Sequence, residues 1–163
     1  MRVYIETTIP SYVVARDARD MHQATRQLLA RDWWFYERLH HDVFVSELVL
    51  NELSHGDEEL AQLRLELVQD IAVLDMLDDA RVLAKEILAS GLLPQKAASD
   101  AGHIAIASAH SMDVLLTWNC RHIANASIAD GLRRLIESRG FSFPILGTPQ
   151  QFLEYDEDDS QEL

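Results

Sequence analysis

Five short apolar runs, each separated from the next by helical sequence, constrain this chain more than any other feature. They are Arg2 to Ile5, Asp42 to Ser46, Ile71 to Leu74, Val114 to Thr117 and Phe143 to Leu146. Most are built on β-branched and aromatic residues, as strands are. Between them, Met21 to Leu39, Glu47 to Leu53, Asp57 to Val68, Asp78 to Ala89, Ala97 to His110 and Ile128 to Ser138 read as helices, and Thr148 to Leu153 as a terminal helical turn. Leu28, Leu29, Trp33, Phe35 and Tyr36 mark a broad apolar face on the first of these, and Leu60, Leu63 and Leu67 recur at helical spacing on the third. Thr7, Thr8 and Pro10 supply a cap and a first-turn proline for another helix directly after the first strand. Strands alternating with helices imply βαβ crossovers. The expected fold is therefore α/β, a mainly parallel sheet of about five strands flanked by helices.

At 163 residues the chain fits one domain, expected over residues 1–153. The remaining 154–163 is rich in Asp and Glu, poor in apolar residues after Tyr155, and reads as a solvated, disordered tail. Cys120 is the sole cysteine, which excludes an internal disulfide and suits a reducing cytoplasm. No apolar run approaches the ~20 residues that cross a bilayer, and MRVYIETTIP reads as a strand rather than a secretory signal. A cytoplasmic protein without a membrane partner is expected. The formal net charge of -13 taken alone argues against phosphate binding. Divalent cations at a carboxylate cluster would invert the local sign.

Ligands of open parallel sheets bind beyond the carboxyl ends of the strands. Glu6, Thr7 and Thr8 follow the first strand, Glu47 and Glu52 lie on the helix after the second, and Thr117, Trp118 and Asn119 stand at the end of the fourth. Asp100 sits near the start of the small-residue helix, where the helix dipole favours an anion. Hard oxygen ligands of this kind suit Mg²⁺ or Mn²⁺ and phosphate-ester chemistry.

VYIETTIPSY, SELVLNEL and SDAGHIAIASAHSMDVLLTWNCRHI, in that order and at plausible spacing, resemble the PIN-domain family. The likeness extends over nearly the whole chain before the acidic tail and looks nearest to the VapC-like toxins of type II toxin–antitoxin pairs. The resemblance implies a metal-dependent endoribonuclease that uses Mg²⁺ or Mn²⁺, an RNA substrate, a cognate antitoxin and a homodimer. It places the family's first three acidic positions on Glu6, Glu52 and Asp100, as metal ligands, and the fourth on Asn119, in the catalytic set. Thr7 and Thr117 would support these groups from behind. Two departures stand out: Glu6 is one methylene longer than the usual Asp, and Asn119 brings no charge.

Each residue also has a plainer reading. Glu6 could pair with an Arg, Asp100 could complement its helix, Glu52 could face solvent like most helical glutamates, and Asn119 could form a turn. His103, three residues after Asp100, reads as a packing histidine because imidazole is a poor neighbour for a hard-oxygen Mg²⁺ site. Arg121 and His122 could meet phosphate or cap the next helix. Trp33 to Tyr36 could offer stacking surfaces, but consecutive helical aromatics point apart, which puts most of them in the core or an interface. His40 and His41 lack companion ligands for zinc. Arg16, Arg19, Arg26 and Arg31 are the candidates for phosphate contacts, against a solvated charged face; no RNA-binding residue is assigned. Two other functions stay open: a silent PIN domain that binds RNA or protein, and a metal-dependent phosphatase.

Overall fold

In a computed structural model, which describes residues 1–153, the strands β1 (Arg2–Ile5), β2 (Asp42–Ser46), β3 (Ala72–Leu74), β4 (Val114–Leu116) and β5 (Ile145–Gly147) form one sheet. All four pairings are parallel, in the order β3-β2-β1-β4-β5. Val3 sits between Val43 and Val114, and Val45 lies beside Val73. The helices are α1 (Thr8–Val14), α2 (Met21–Phe35), α3 (Glu47–Leu53), α4 (Glu58–Val68), α5 (Asp78–Ala89), α6 (Ala98–Ala109) and α7 (Ala126–Ser138). The expected α/β fold with a parallel five-stranded sheet is what the described residues form, and the tail expected at 154–163 lies outside them.

Burial explains the sequence pattern. Val3, Tyr4 and Ile5 of β1 and all three residues of β4 are buried, so both faces of the sheet centre are covered by helices. The edge strands are half-open, with Val73 45% and Ile145 56% exposed. The chain runs outward from β1 through β2 to β3, then returns to lay β4 on the other side of β1. That reversal opens a crevice beyond the carboxyl ends of β1 and β4. Glu6 and Thr117 are the residues that follow those two strands.

The structure corrects several boundaries. The helix expected to reach Leu39 ends at Phe35 and passes into a 3-10 turn, Glu37–His40. The last strand begins at Ile145, not Phe143, because Pro144 has no N–H to give the ladder; the Ile145 amide makes that bond, to Asp113 O at 2.9 Å. α7 begins at Ala126, two residues earlier than expected, because the Asn125 side chain caps it by accepting from the Ser127 amide. Thr7 precedes α1 but makes no side-chain cap, its hydroxyl being used elsewhere. The broad apolar face of α2 is also divided. Ala30, Trp33 and Trp34 are buried, whereas Met21, Leu28 and Phe35, seven residues apart, form an outward stripe, with Tyr36 beyond them also exposed. On α4, Leu63 is 43% exposed, and Ala61 and Val68 are buried instead. No helix among the described residues is long and apolar enough to cross a membrane.

Gly147 ends β5 where the Phe152 ring folds back over it. A Cβ there would stand 2.5 Å from Phe152 Cε2 and 2.9 Å from Gln151 Oε1. Gly147→Ala is expected to cost about 1–3 kcal/mol through overpacking, read as a lower urea midpoint at unchanged slope.

Candidate metal centre

Glu6 leaves β1 into the crevice and is only 4% exposed. Three donors converge on its Oε2: the Thr8 amide at 3.0 Å, the Thr8 hydroxyl at 2.5 Å and the Thr117 hydroxyl at 2.7 Å. Each hydroxyl is aimed by a backbone amide behind it. Trp118 N–H donates to Thr8 Oγ1 at 2.8 Å, and Asn119 N–H donates to Thr117 Oγ1 at 2.9 Å. Both hydroxyl protons are thereby committed to the carboxylate, the pattern of a charged acceptor. Among the described residues, no Lys or Arg forms an ion pair with Glu6. The plain reading of Glu6, a salt bridge to arginine, therefore finds no partner here.

Glu52 reaches the same crevice from α3. It accepts hydrogen bonds from the Thr7 and Ser99 hydroxyls and lies 3.1 Å from His103 Nε2 through its Oε2. Burial alone would raise its pKa. The hydrogen bond and charge of His103, with the Ser99 and Thr7 hydroxyls, outweigh that and hold it at about 2. One atom each from Glu6, Glu52 and His103 lie within 4.8 Å of one another, a spacing that could hold a metal ion.

His103 is 1% exposed, as a packing histidine would be, yet both of its nitrogens are engaged. Nδ1 is 2.8 Å from the Tyr4 hydroxyl, which is 2.7 Å from Ser46 Oγ, and Ser46 in turn accepts from the Val49 amide that opens α3. Burial, despite the Ser46 hydrogen bond and reinforced by the charges of Glu6 and Glu52, pushes the Tyr4 phenol far above its usual value, so it stays a donor. His103 Nε2 donates to the Glu52 carboxylate, and the Tyr4 and Ser46 hydroxyls can rotate to complete the chain behind Nδ1. Sequence reasoning saw the three-residue spacing of Asp100 and His103 on one helix face. It could not see that this face turns toward α3.

Asp100, in the first turn of α6, is not part of the 4.8 Å group. Its Oδ1 accepts from Asn119 Nδ2 at 2.9 Å, and its Oδ2 lies 2.8 Å from His122 Nδ1. Asn119 Oδ1 accepts from the His122 amide at 3.0 Å, so Asn119 does form the turn its plainer reading gives it. The same residue also links Asp100 to the Thr117–Glu6 pair, through its backbone N–H. The six residues singled out thus fall into two hydrogen-bonded groups. Glu6, Thr117, Asn119 and Asp100 form one, with Thr8 and His122, and Glu52 and Thr7 form the other, with Ser99 and His103.

The remaining candidates are placed too. Trp33 and Trp34 are in the core and offer no stacking surface. Arg31 ties Val13 O and Ala15 O at the end of α1, and exposed Arg16 stands 3.7 Å from Glu59. Arg26 lies over the Trp118 ring at 5.5 Å.

The Glu52 shift has a pH consequence. A folded-state pKa depressed from 4.5 to about 2 gives stability that is complete above the unfolded value and is lost as pH falls through that interval. In protein stripped of divalent cations, the acid limb of urea midpoint against pH is expected to be shallower in Glu52→Gln than in the parent.

No family model and no curated protein matches the sequence. Among solved structures, the chain is similar to VapBC2 from Rickettsia felis bound to a DNA fragment from its promoter, at TM-score 0.53 and 16% identity. That alignment covers 91% of this chain and 98% of the other. It is also similar to VapC20 of Mycobacterium tuberculosis, a Sarcin-Ricin loop cleaving toxin, at TM-score 0.57 and 16% identity. There the coverage is 85% of this chain and 95% of the other. At that identity the likeness speaks for architecture alone, an α/β fold shared with these VapC structures.

Proposed function

We propose that this chain is a metal-dependent endoribonuclease, the toxin of a toxin–antitoxin pair. The observation that carries the reading is the buried Glu6 carboxylate, held by three neutral donors beside ionised Glu52 with no arginine or lysine to balance it among the described residues. A buried anion needs a counter-charge, and a divalent cation fits a donor set of this chemistry. Glu6 and Glu52 would hold Mg²⁺ or Mn²⁺ directly. His103 orients Glu52 from behind, and Thr7 and Thr117 fix the acids' outer oxygens. Asp100, steered by Asn119 and His122, completes the acidic edge on the side of α6. When bound, the cation supplies Lewis acidity toward a phosphodiester.

The fold likeness to VapBC2 and VapC20 supports RNA as the substrate and an antitoxin as partner. The outward stripe of Met21, Leu28 and Phe35 supports a homodimer face, and a cytoplasmic location accords with the single, exposed cysteine. Parallel assays with mixed cellular RNA and a small phosphate monoester, each with Mn²⁺, test the reaction class. Cleavage of RNA with the ester left intact is the expected result. Ester hydrolysis with RNA left intact would make the protein a phosphatase.

A further inference from the structure

Beside the acidic edge lies a hollow of about 430 Å³ that the reaction proposed above does not use. It is lined by Thr25, Arg26 and Leu29 of α2 and by Trp118 and Cys120 of the turn after β4. Gln150, from the segment after β5, also lines it. The volume falls in the range of small-ligand sites, ~300–1,000 Å³. The hollow adjoins the acidic edge along the chain, because its lining residues Trp118 and Cys120 alternate with Thr117 and Asn119, which donate to Glu6 and Asp100.

Three features of this hollow suit a nucleotide. The Arg26 guanidinium lies over the Trp118 ring at 5.5 Å and has no carboxylate partner among the described residues. In a chain with net charge -13, an unmatched cation next to a carboxylate edge is where a phosphate can be held. Trp118 is 7% exposed, and its indole N–H has no acceptor among the described residues. Leu29 adds apolar surface, so the hollow joins a cation, an aromatic and an aliphatic side chain, the kinds of group that hold an unstacked nucleotide.

Resting on the ribonuclease reading, we propose that this hollow seats the nucleotide next to the scissile phosphate of a single-stranded RNA. Arg26 holds its phosphate, and its base lies against Leu29 and Trp118. Thr25 and Gln150 lie where they face the base edge and bias which base is accepted.

Cys120, exposed and the sole thiol, is a built-in reporter of the hollow. The test measures its alkylation rate with a short mixed-sequence oligoribonucleotide and Ca²⁺, whose loose coordination carries charge without the octahedral geometry of Mg²⁺. Fluorescence anisotropy follows binding in parallel. With RNA at about ten times its Kd, alkylation is expected to slow about ten-fold, since only unbound protein reacts. Arg26→Glu is expected to weaken binding roughly ten-fold or more, and Arg26→Lys to keep most of it. RNA that binds while Cys120 reacts at its original rate would overturn the proposal and leave the ribonuclease reading intact. Equal protection by a mononucleotide would make the hollow a small-nucleotide site and overturn the RNA assignment. Failure of RNA to bind at all would overturn both readings.

Discussion

Glu6→Gln is expected to lower RNA cleavage about a thousand-fold while leaving the metal-free protein at least as stable as the parent. The amide is isosteric with the carboxylate and can place its oxygen where Oε2 now accepts from Thr8 and Thr117. It brings no charge into a position that is 4% exposed and lacks an arginine or lysine among the described residues. Removing an unbalanced buried charge gains about 1 kcal/mol or more when the geometry is kept. The parent is then expected to recover stability on adding Mn²⁺, by about 2.7 kcal/mol at a hundred times Kd, and the variant to gain far less. Urea denaturation with and without Mn²⁺, beside an RNA-cleavage assay, reads all of this. A variant that is less stable without metal but still active would make Glu6 a structural residue.

Asn119→Asp is the second large effect. The Asn119 amide now donates to Asp100 Oδ1 at 2.9 Å, so it binds Asp100 without adding charge. An aspartate would set two carboxylates at hydrogen-bond distance, losing a hydrogen bond to a charged group and adding like-charge repulsion. The metal-free variant is expected to be less stable by about 1–3 kcal/mol. Its Oδ1 would still accept from the His122 amide, so the turn survives. Added cation relieves the repulsion and uses the extra charge. The Mn²⁺ concentration giving half-maximal cleavage is expected to fall by about ten-fold, the scale of outer-ligand effects on metal affinity. An unchanged metal requirement would mean that position 119 lies outside the cation's reach.

The parts of this molecule that sequence made legible are those governed by local rules. β1 and β2 occupy the residues expected of them, because a buried parallel strand must be an uninterrupted apolar run. Glu6 stood out for the same reason, being the carboxylate at which such a run stops. What escaped is tertiary. Met21, Leu28 and Phe35 are apolar yet face outward, and hydrophobic periodicity cannot separate a core face from an unfilled surface. His103 looked like packing because its partners, Tyr4 and Glu52, come from β1 and α3, far away in sequence. Ser99 carried no signal of its own, and His122 was read for phosphate or a cap, since the carboxylate each meets comes from another element or turn. Asn119 was legible as a turn-former, and the structure shows that turn together with a bond from its amide to Asp100 that only the fold could reveal.

Cleavage of a mixed cellular RNA pool by purified protein with Mg²⁺ or Mn²⁺, beside Asp100→Asn and a chelator control, tests the central claim most directly. The acidic edge predicts cleavage by the parent alone, abolished by the chelator, leaving ends without 2′,3′-cyclic phosphate because water rather than the 2′-hydroxyl attacks. Cleavage that persists in Asp100→Asn or in chelator, or no cleavage with either metal by protein shown to bind Mn²⁺, would contradict it.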